Sequence, residues 1–342
     1  MELDWMDEEL KLLLNVSLDQ APERRQVREA FKAIQLGIDH CLFKASYPGI
    51  KTEELYKINS RGLTIFTKSW LPETSRLKAI IFFCHGYGDT CTFFFDGIAK
   101  KLASSGFGVF AMDYPGFGLS DGLHCFIPSF DRLVDDVIEH YSSVKENSDY
   151  KSIPSFLVGE SMGGAVALKI HLKQPQKWDG AILLAPMCKI ADDMVPPLLV
   201  KQFLIGIAKF LPKRKLVPQP NMADMAFRDL EKRKLAAYNV IAYKGKPRLR
   251  TAVELLKATG DIGNQLEKVS LPLLILHGEA DLVTDPSVSK ALYENASSAD
   301  KTLRLYKDAY HALLEGESDE MIFQVFDDII TWLNNHCAIK ST

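Results

Sequence analysis

The chain has 342 residues, of which 47% are hydrophobic and 25% charged, and its formal net charge is -3. This is the composition of a soluble globular protein with a sizeable core, and a single α/β domain carrying an insertion reaches this length. The near-balanced charge gives no electrostatic basis for binding nucleic acid, and no apolar run attains the roughly eighteen residues of a membrane-crossing helix. The six cysteines show no Cys-x-x-Cys pairing of the metal-binding kind, so they read as reduced thiols of an intracellular protein.

The stretch Met1 to Glu9 is acidic, unlike a secretory or organelle-targeting leader. Two helical patterns precede the first strand. The second begins near Pro22, a favourable first-turn residue, and sets Val27, Phe31, Ile34 and Ile38 at helical spacing. Leu55–Ile58 and Leu63–Trp70, joined by Asn59-Ser60-Arg61-Gly62, predict a hairpin. From there strands and helices alternate. Ala79–Cys84 is a strand followed by a helix around Asp96–Ser104, and Gly108–Met112 a strand followed by a helix over Phe130–Lys145. Ser155–Val158 leads into a helix over Gly164–His171, and Gly180–Ala185 closes this run. These strands are apolar throughout, as parallel strands covered on both faces must be.

The alternation stops at Pro186. It resumes with a strand over Leu271–His277, a helix near Ser287–Asn295, a strand over Thr302–Tyr306 and a final helix over Asp319–Asn334. Residues 187–270 carry helical patterning instead, including Leu198–Leu211, Ala223–Ala242 and Leu249–Thr259. The expected fold class is α/β: a mostly parallel eight-stranded sheet with helices on both faces, built from residues 53–186 and 271–337. A helical extension over 1–52 precedes it, and a helical cap over 187–270 would roof the carboxyl edge of the sheet.

The pentapeptide Gly159-Glu160-Ser161-Met162-Gly163 lies between a buried strand and a helix. A serine in that setting, with glycine two positions away on either side, matches a nucleophile elbow. The turn is so tight that the serine adopts a strained backbone conformation and side chains at its flanks would collide. A serine hydroxyl needs a base, and the base needs an acid to fix its tautomer. Those partners should follow in loops at strand ends in the order Ser, Asp, His. Asp281 lies in the loop His277-Gly278-Glu279-Ala280-Asp281, and His311 in Lys307-Asp308-Ala309-Tyr310-His311. Ser161, Asp281 and His311 are therefore the expected catalytic triad. Asp285 is a second candidate acid, although its position before Pro286 suits a helix cap.

The oxyanion of acyl transfer needs donors aimed in advance. The Met162 amide, directly after the nucleophile, is one candidate. The Tyr87 amide, in the loop His85-Gly86-Tyr87-Gly88-Asp89, is the other. His85 is expected to order this loop rather than perform chemistry. The glycine-rich stretch Asp113–Gly122 lacks the Gly-Lys-Ser/Thr ending of a phosphate-binding loop and is expected to be structural. Within the cap, Leu198–Leu211 has a wide apolar arc, with Gln202, Gly206 and Lys209 as a narrow polar stripe and Lys213-Arg214-Lys215 following. Such a helix either packs against the core or meets lipid, with its basic residues near headgroups.

With these residues placed, the chain resembles α/β-hydrolases of the monoacylglycerol lipase family, most closely the plant branch that includes caffeoylshikimate esterases. The resemblance runs from about Tyr56 to His336. It rests on the elbow, on His85-Gly86-Tyr87-Gly88-Asp89, Gly118-Leu119-Ser120-Asp121-Gly122 and Tyr243-Lys244-Gly245-Lys246-Pro247-Arg248, and on Ser297–Thr302 and Tyr310-His311. It implies the α/β-hydrolase fold, the cap and the triad at Ser161, Asp281 and His311. Some family members are described as acyltransferases on account of a histidine and an aspartate with four residues between them. Here three residues separate His85 and Asp89, a departure from that pattern.

The expected function is a serine hydrolase that cleaves esters of single-chain lipids, monoacylglycerol above all. Caffeoyl shikimate and lysophospholipids are alternative substrates, and a non-catalytic small-molecule receptor is a remote alternative on the same fold. No metal or organic cofactor is implied. The expected partner is a small lipid or phenolic ester, and the expected location cytoplasmic, with peripheral membrane contact through the cap.

Overall fold

The computed structural model describes residues 16–73, 76–189, 198–217 and 221–338, so the earlier N-terminal helical pattern lies outside the described residues. Helix α1 (Ala21–Leu36) carries Pro22 in its first turn, stops at Gly37, and buries Val27 and Phe31. Ile38 falls beyond its end. After the short α2 (Cys41–Lys44), β1 (Ile50–Ile58) and β2 (Thr64–Pro72) form the hairpin. β1 begins inside the stretch expected to be a helical extension. Its residues are mostly exposed, so no apolar alternation announced its start.

The sheet continues through β3 (Ala79–Cys84), α3 (Phe94–Ser104), β4 (Phe107–Met112), α4 (Phe130–Lys145), β5 (Ser155–Glu160), α5 (Met162–Lys173) and β6 (Gly180–Leu184). The segment that follows holds α6 (Leu198–Phe210), α7 (Met222–Ala226), α8 (Leu230–Leu235) and α9 (Leu249–Gly263). β7 (Leu273–Gly278), α10 (Pro286–Asn295), β8 (Lys301–Tyr306) and α11 (Asp319–Ala338) complete the chain. The helical patterning over Ala223–Ala242 takes the form of short pieces rather than one helix. The Asp229 carboxylate accepts from the Glu231 and Lys232 amides and caps α8 as a new start, while the Asp229 amide is tied to the Gly316 carbonyl at 3.0 Å.

The eight strands lie in the order β1-β2-β4-β3-β5-β6-β7-β8. β2 runs antiparallel to both its neighbours and every other pairing is parallel. Successive residues of β3 feed opposite cores: Ile81 and Phe83 join α1, α3 and α11 on one face, while Ile80, Phe82 and Cys84 join α4, α5 and α10 on the other. Burial on both faces explains why these strands read as unbroken apolar runs. Because β3 to β8 are parallel, the loops after β3, β5, β7 and β8 all leave the same edge, where ligands of open α/β sheets bind. Among the described residues no helix is long and apolar enough to cross a membrane.

α1 is fastened to this body through Arg24, which is fully buried. Its guanidinium donates to the carbonyls of Gly118 at 2.5 Å, Ser120 at 2.7 Å, Gly122 at 3.2 Å and Leu18 at 3.0 Å. The glycine-rich loop of residues 113–122 is thus held from the N-terminal side.

Candidate active site

Ser161 stands between β5 and α5 with φ 55° and ψ -119°, a backbone conformation that costs energy for any residue with a side chain. The surroundings hold it there. The Ser161 amide donates to the Leu184 carbonyl at 2.9 Å, and its carbonyl accepts from the amides of Gly164 and Met187, each at 2.9 Å. The flanking glycines are required by space: a Cβ at Gly163 would lie 1.8 Å from the Cys84 carbonyl oxygen, and one at Gly159 would lie 2.4 Å from that of Gly163. Strand, turn and helix therefore pack too closely for any larger residue at these two positions.

Asp281 and His311 come together from the exits of β7 and β8. His311 Nδ1 lies 2.7 Å from Asp281 Oδ2, and both side chains are buried. Gly278 makes this approach possible, since a Cβ there would lie 2.3 Å from the carbonyl oxygens of Ala309 and Tyr310. The Asp281 carboxylate is well supplied with donors: Val283 and Thr284 amides on Oδ1 at 2.7 and 3.0 Å, and the Thr284 hydroxyl on Oδ2 at 2.9 Å. Burial by itself would raise its pKa, but hydrogen bonds from His277 and His311 and the His311 charge hold it well below the usual carboxylate range. Asp285 instead accepts from the Ser287 amide at 2.7 Å and caps α10.

The loop after β3 is ordered from beneath. His85 Nε2 accepts from the Tyr114 amide at 3.4 Å, which leaves Nδ1 to donate to the Gly86 carbonyl at 2.9 Å, and its ring stacks on Tyr114. Asp113, fully buried, accepts from the Cys91 and Leu119 amides at 2.7 Å each, coupling this loop to the glycine-rich one. The Gly88 carbonyl accepts from the Tyr243 amide at 2.7 Å, so the segment between β6 and β7 is joined to the loop that carries Tyr87.

Sequence reasoning passed over two groups here. His277, within β7, sits 3.0 Å from Asp281 Oδ2 through Nε2. Asp89, Glu160 and Glu315 form a carboxyl cluster beside the elbow. Burial raises the pKa of all three; the Asp89 charge adds to the rise at Glu160, and the Glu160 and Asp89 charges add to it at Glu315. The only hint in the sequence was an acidic residue directly before the serine and another four residues after the histidine, and acidic residues at such positions are ordinarily solvated.

A strained serine on a strand–helix elbow, with a buried aspartate–histidine pair at the exits of two later parallel strands, defines an α/β-hydrolase. The sequence family described as serine aminopeptidase, S33, matches residues 75–319, and the chain belongs to it. The caffeoylshikimate esterase of Arabidopsis thaliana is 37% identical over 84% of this chain and 86% of its own length. Monoglyceride lipase of Homo sapiens is 31% identical over 83% of this chain and 91% of its own. Among solved structures, a soluble variant of monoglyceride lipase from Saccharomyces cerevisiae, bound to a substrate analogue, superposes with a TM-score of 0.74 at 20% identity, covering 86% of this chain and 97% of that one. These relatives put the chain among the carboxylic ester hydrolases.

Proposed function

We propose that this protein is a serine esterase acting on single-chain lipid esters of the monoacylglycerol type. Ser161 is the nucleophile, His311 the base and Asp281 the acid that orients it. The Ser161 hydroxyl oxygen attacks the ester carbonyl carbon while its proton passes to His311 Nε2. The carbonyl oxygen becomes an oxyanion facing the amides of Tyr87 and Met162. Collapse breaks the bond to the alcohol, which leaves with the proton from His311, and water repeats the sequence on the acyl-enzyme. The observation that carries this reading is the 2.7 Å contact between His311 Nδ1 and Asp281 Oδ2, at the same sheet edge as the strained serine.

In this reading residues 187–270 act as a cap, and α6 is its lipid-facing surface. Phe203 and Phe210, seven residues apart and so on one helix face, are 66% and 85% exposed. Lys209, Lys213, Arg214 and Lys215 are exposed beside them, as headgroup contacts require. A phenolic ester such as caffeoyl shikimate is the second reading, favoured by the 37% identity to a caffeoylshikimate esterase.

The test is steady turnover by the purified protein on monoacylglycerols, lysophospholipids, caffeoyl shikimate and short p-nitrophenyl esters. Monoacylglycerol should give the highest kcat/KM. A preference for caffeoyl shikimate would select the second reading, and labelling by a fluorophosphonate without turnover on any ester would indicate a receptor.

A further inference from the structure

The acid of the proposed triad does not stand on its loop alone. His277, fully buried, lies four residues ahead of Asp281 and near the end of β7. Its Nε2 is 3.0 Å from Asp281 Oδ2 and 3.0 Å from the Thr284 carbonyl oxygen, two acceptors that require a proton on that nitrogen. Its Nδ1 is 2.6 Å from the hydroxyl of Ser289 on α10, a partner that fixes the ring's rotation. Asp281 Oδ2 thus faces two histidines, His311 on the substrate side and His277 behind it.

We propose that His277 is a positioning residue for the reaction, holding Asp281 Oδ2 in the orientation that His311 needs, with Ser289 holding His277 in turn. The inference rests on Asp281 being the catalytic acid. A carboxylate oxygen that accepts from several donors keeps less negative charge for each of them. The donor behind Asp281 therefore tempers how strongly His311 is held as imidazolium, besides stopping the carboxylate from rotating. β7 is hydrogen-bonded to β6 on one side and β8 on the other, a better support than the loop that bears Asp281. The titratable groups facing this pair are His311 from the loop after β8 and Asp285 at the start of α10.

The experiment measures kcat, KM and the pH dependence of kcat/KM on a short soluble ester for H277L, H277Q and S289A, each with its melting temperature. H277L removes the donor. It should lower kcat by about 10- to 100-fold at nearly constant KM and move the acid limb of the profile to higher pH, because Asp281 then holds the His311 proton more tightly. H277Q, whose amide nitrogen reaches the same point, should restore most of kcat and return the limb. S289A keeps the ring and should shift the limb in the H277L direction by a smaller amount. Unchanged kcat and acid limb in a folded H277L would overturn the proposal. So would H277Q and S289A that lose melting temperature alone; these two variants keep the question open to refutation if H277L does not fold. D281N on the same ester separates the two claims, since full activity there would remove the acid assignment itself.

Discussion

Ser161 occupies a backbone conformation that would relax if the serine were not gripped by Leu184, Gly164 and Met187. The proposed roles at this site translate into graded losses. S161A should lower turnover by roughly 10³ or more while leaving the melting temperature unchanged. D281N should cost on the order of 10⁴ by favouring the wrong histidine tautomer. D285N should leave kcat and stability nearly intact, because an asparagine side-chain oxygen caps the helix as an aspartate does. Steady-state kinetics and thermal melts on the three variants check this, and a severe D285N beside a mild D281N would reverse the assignment. The carboxyl cluster gives a second test at this scale. The pKa of Glu160 is raised by burial and by Asp89, so the folded protein keeps a proton that the unfolded chain loses near pH 4.5. A native state that binds more protons loses stability as pH rises. Between about pH 5 and 8 the melting temperature should therefore fall, and E160Q should flatten that slope. An identical slope in E160Q would show that Glu160 is ionised in the folded protein.

Among the elements, α6 is the one whose sequence and surroundings diverge. Its apolar arc was compatible with a helix buried in the cap, yet of its residues from Gln202 to Phe210 only Ala208 is buried. Charged substitutions on the Phe203 and Phe210 face should therefore spare the fold. F203E/F210E should weaken binding to phosphatidylcholine vesicles by about tenfold or more, since each phenylalanine contributes roughly 1.5–3 kcal/mol when it leaves water. Hydrolysis of long-chain monoacylglycerol should slow, and a short water-soluble ester should be cleaved at the wild-type rate. Parallel loss on both substrates with a lowered melting temperature would instead mark α6 as part of the protein's interior packing.

For the whole molecule, the N-terminal extension emerges as part of the enzyme body. Arg24 reaches from α1 to three carbonyls of the glycine-rich loop, Arg25 pairs with Asp121 at 2.9 Å, and Asp19, just ahead of α1, pairs with Arg248 at 2.6 Å. R24A would strand several buried carbonyls and should destabilise the protein by about 3 kcal/mol or more, with R24K intermediate because an ammonium cannot reproduce the forked geometry. Denaturant unfolding of both variants checks the order, and equal stability of R24A and wild type would make the extension an appendage.

How much of this the chain disclosed on its own follows from what each signal encodes. The parallel strands, their order in the chain, the serine elbow and the loops carrying Asp281 and His311 were legible because burial on both faces writes continuous apolar runs and a tight turn demands glycine. The residues that serve those groups were not. His277 reads as one more residue of a buried strand, Glu160 and Glu315 read as ordinary acids, and Arg24 reads as a solvated helix face. The fate of Ala223–Ala242 was equally hidden, since Asp229 caps a new helix there and its amide bonds to Gly316. Local pattern records which side of an element faces water. Which buried donor meets which acceptor, across strands far apart in sequence, is decided only when the sheet assembles and brings their ends to one edge.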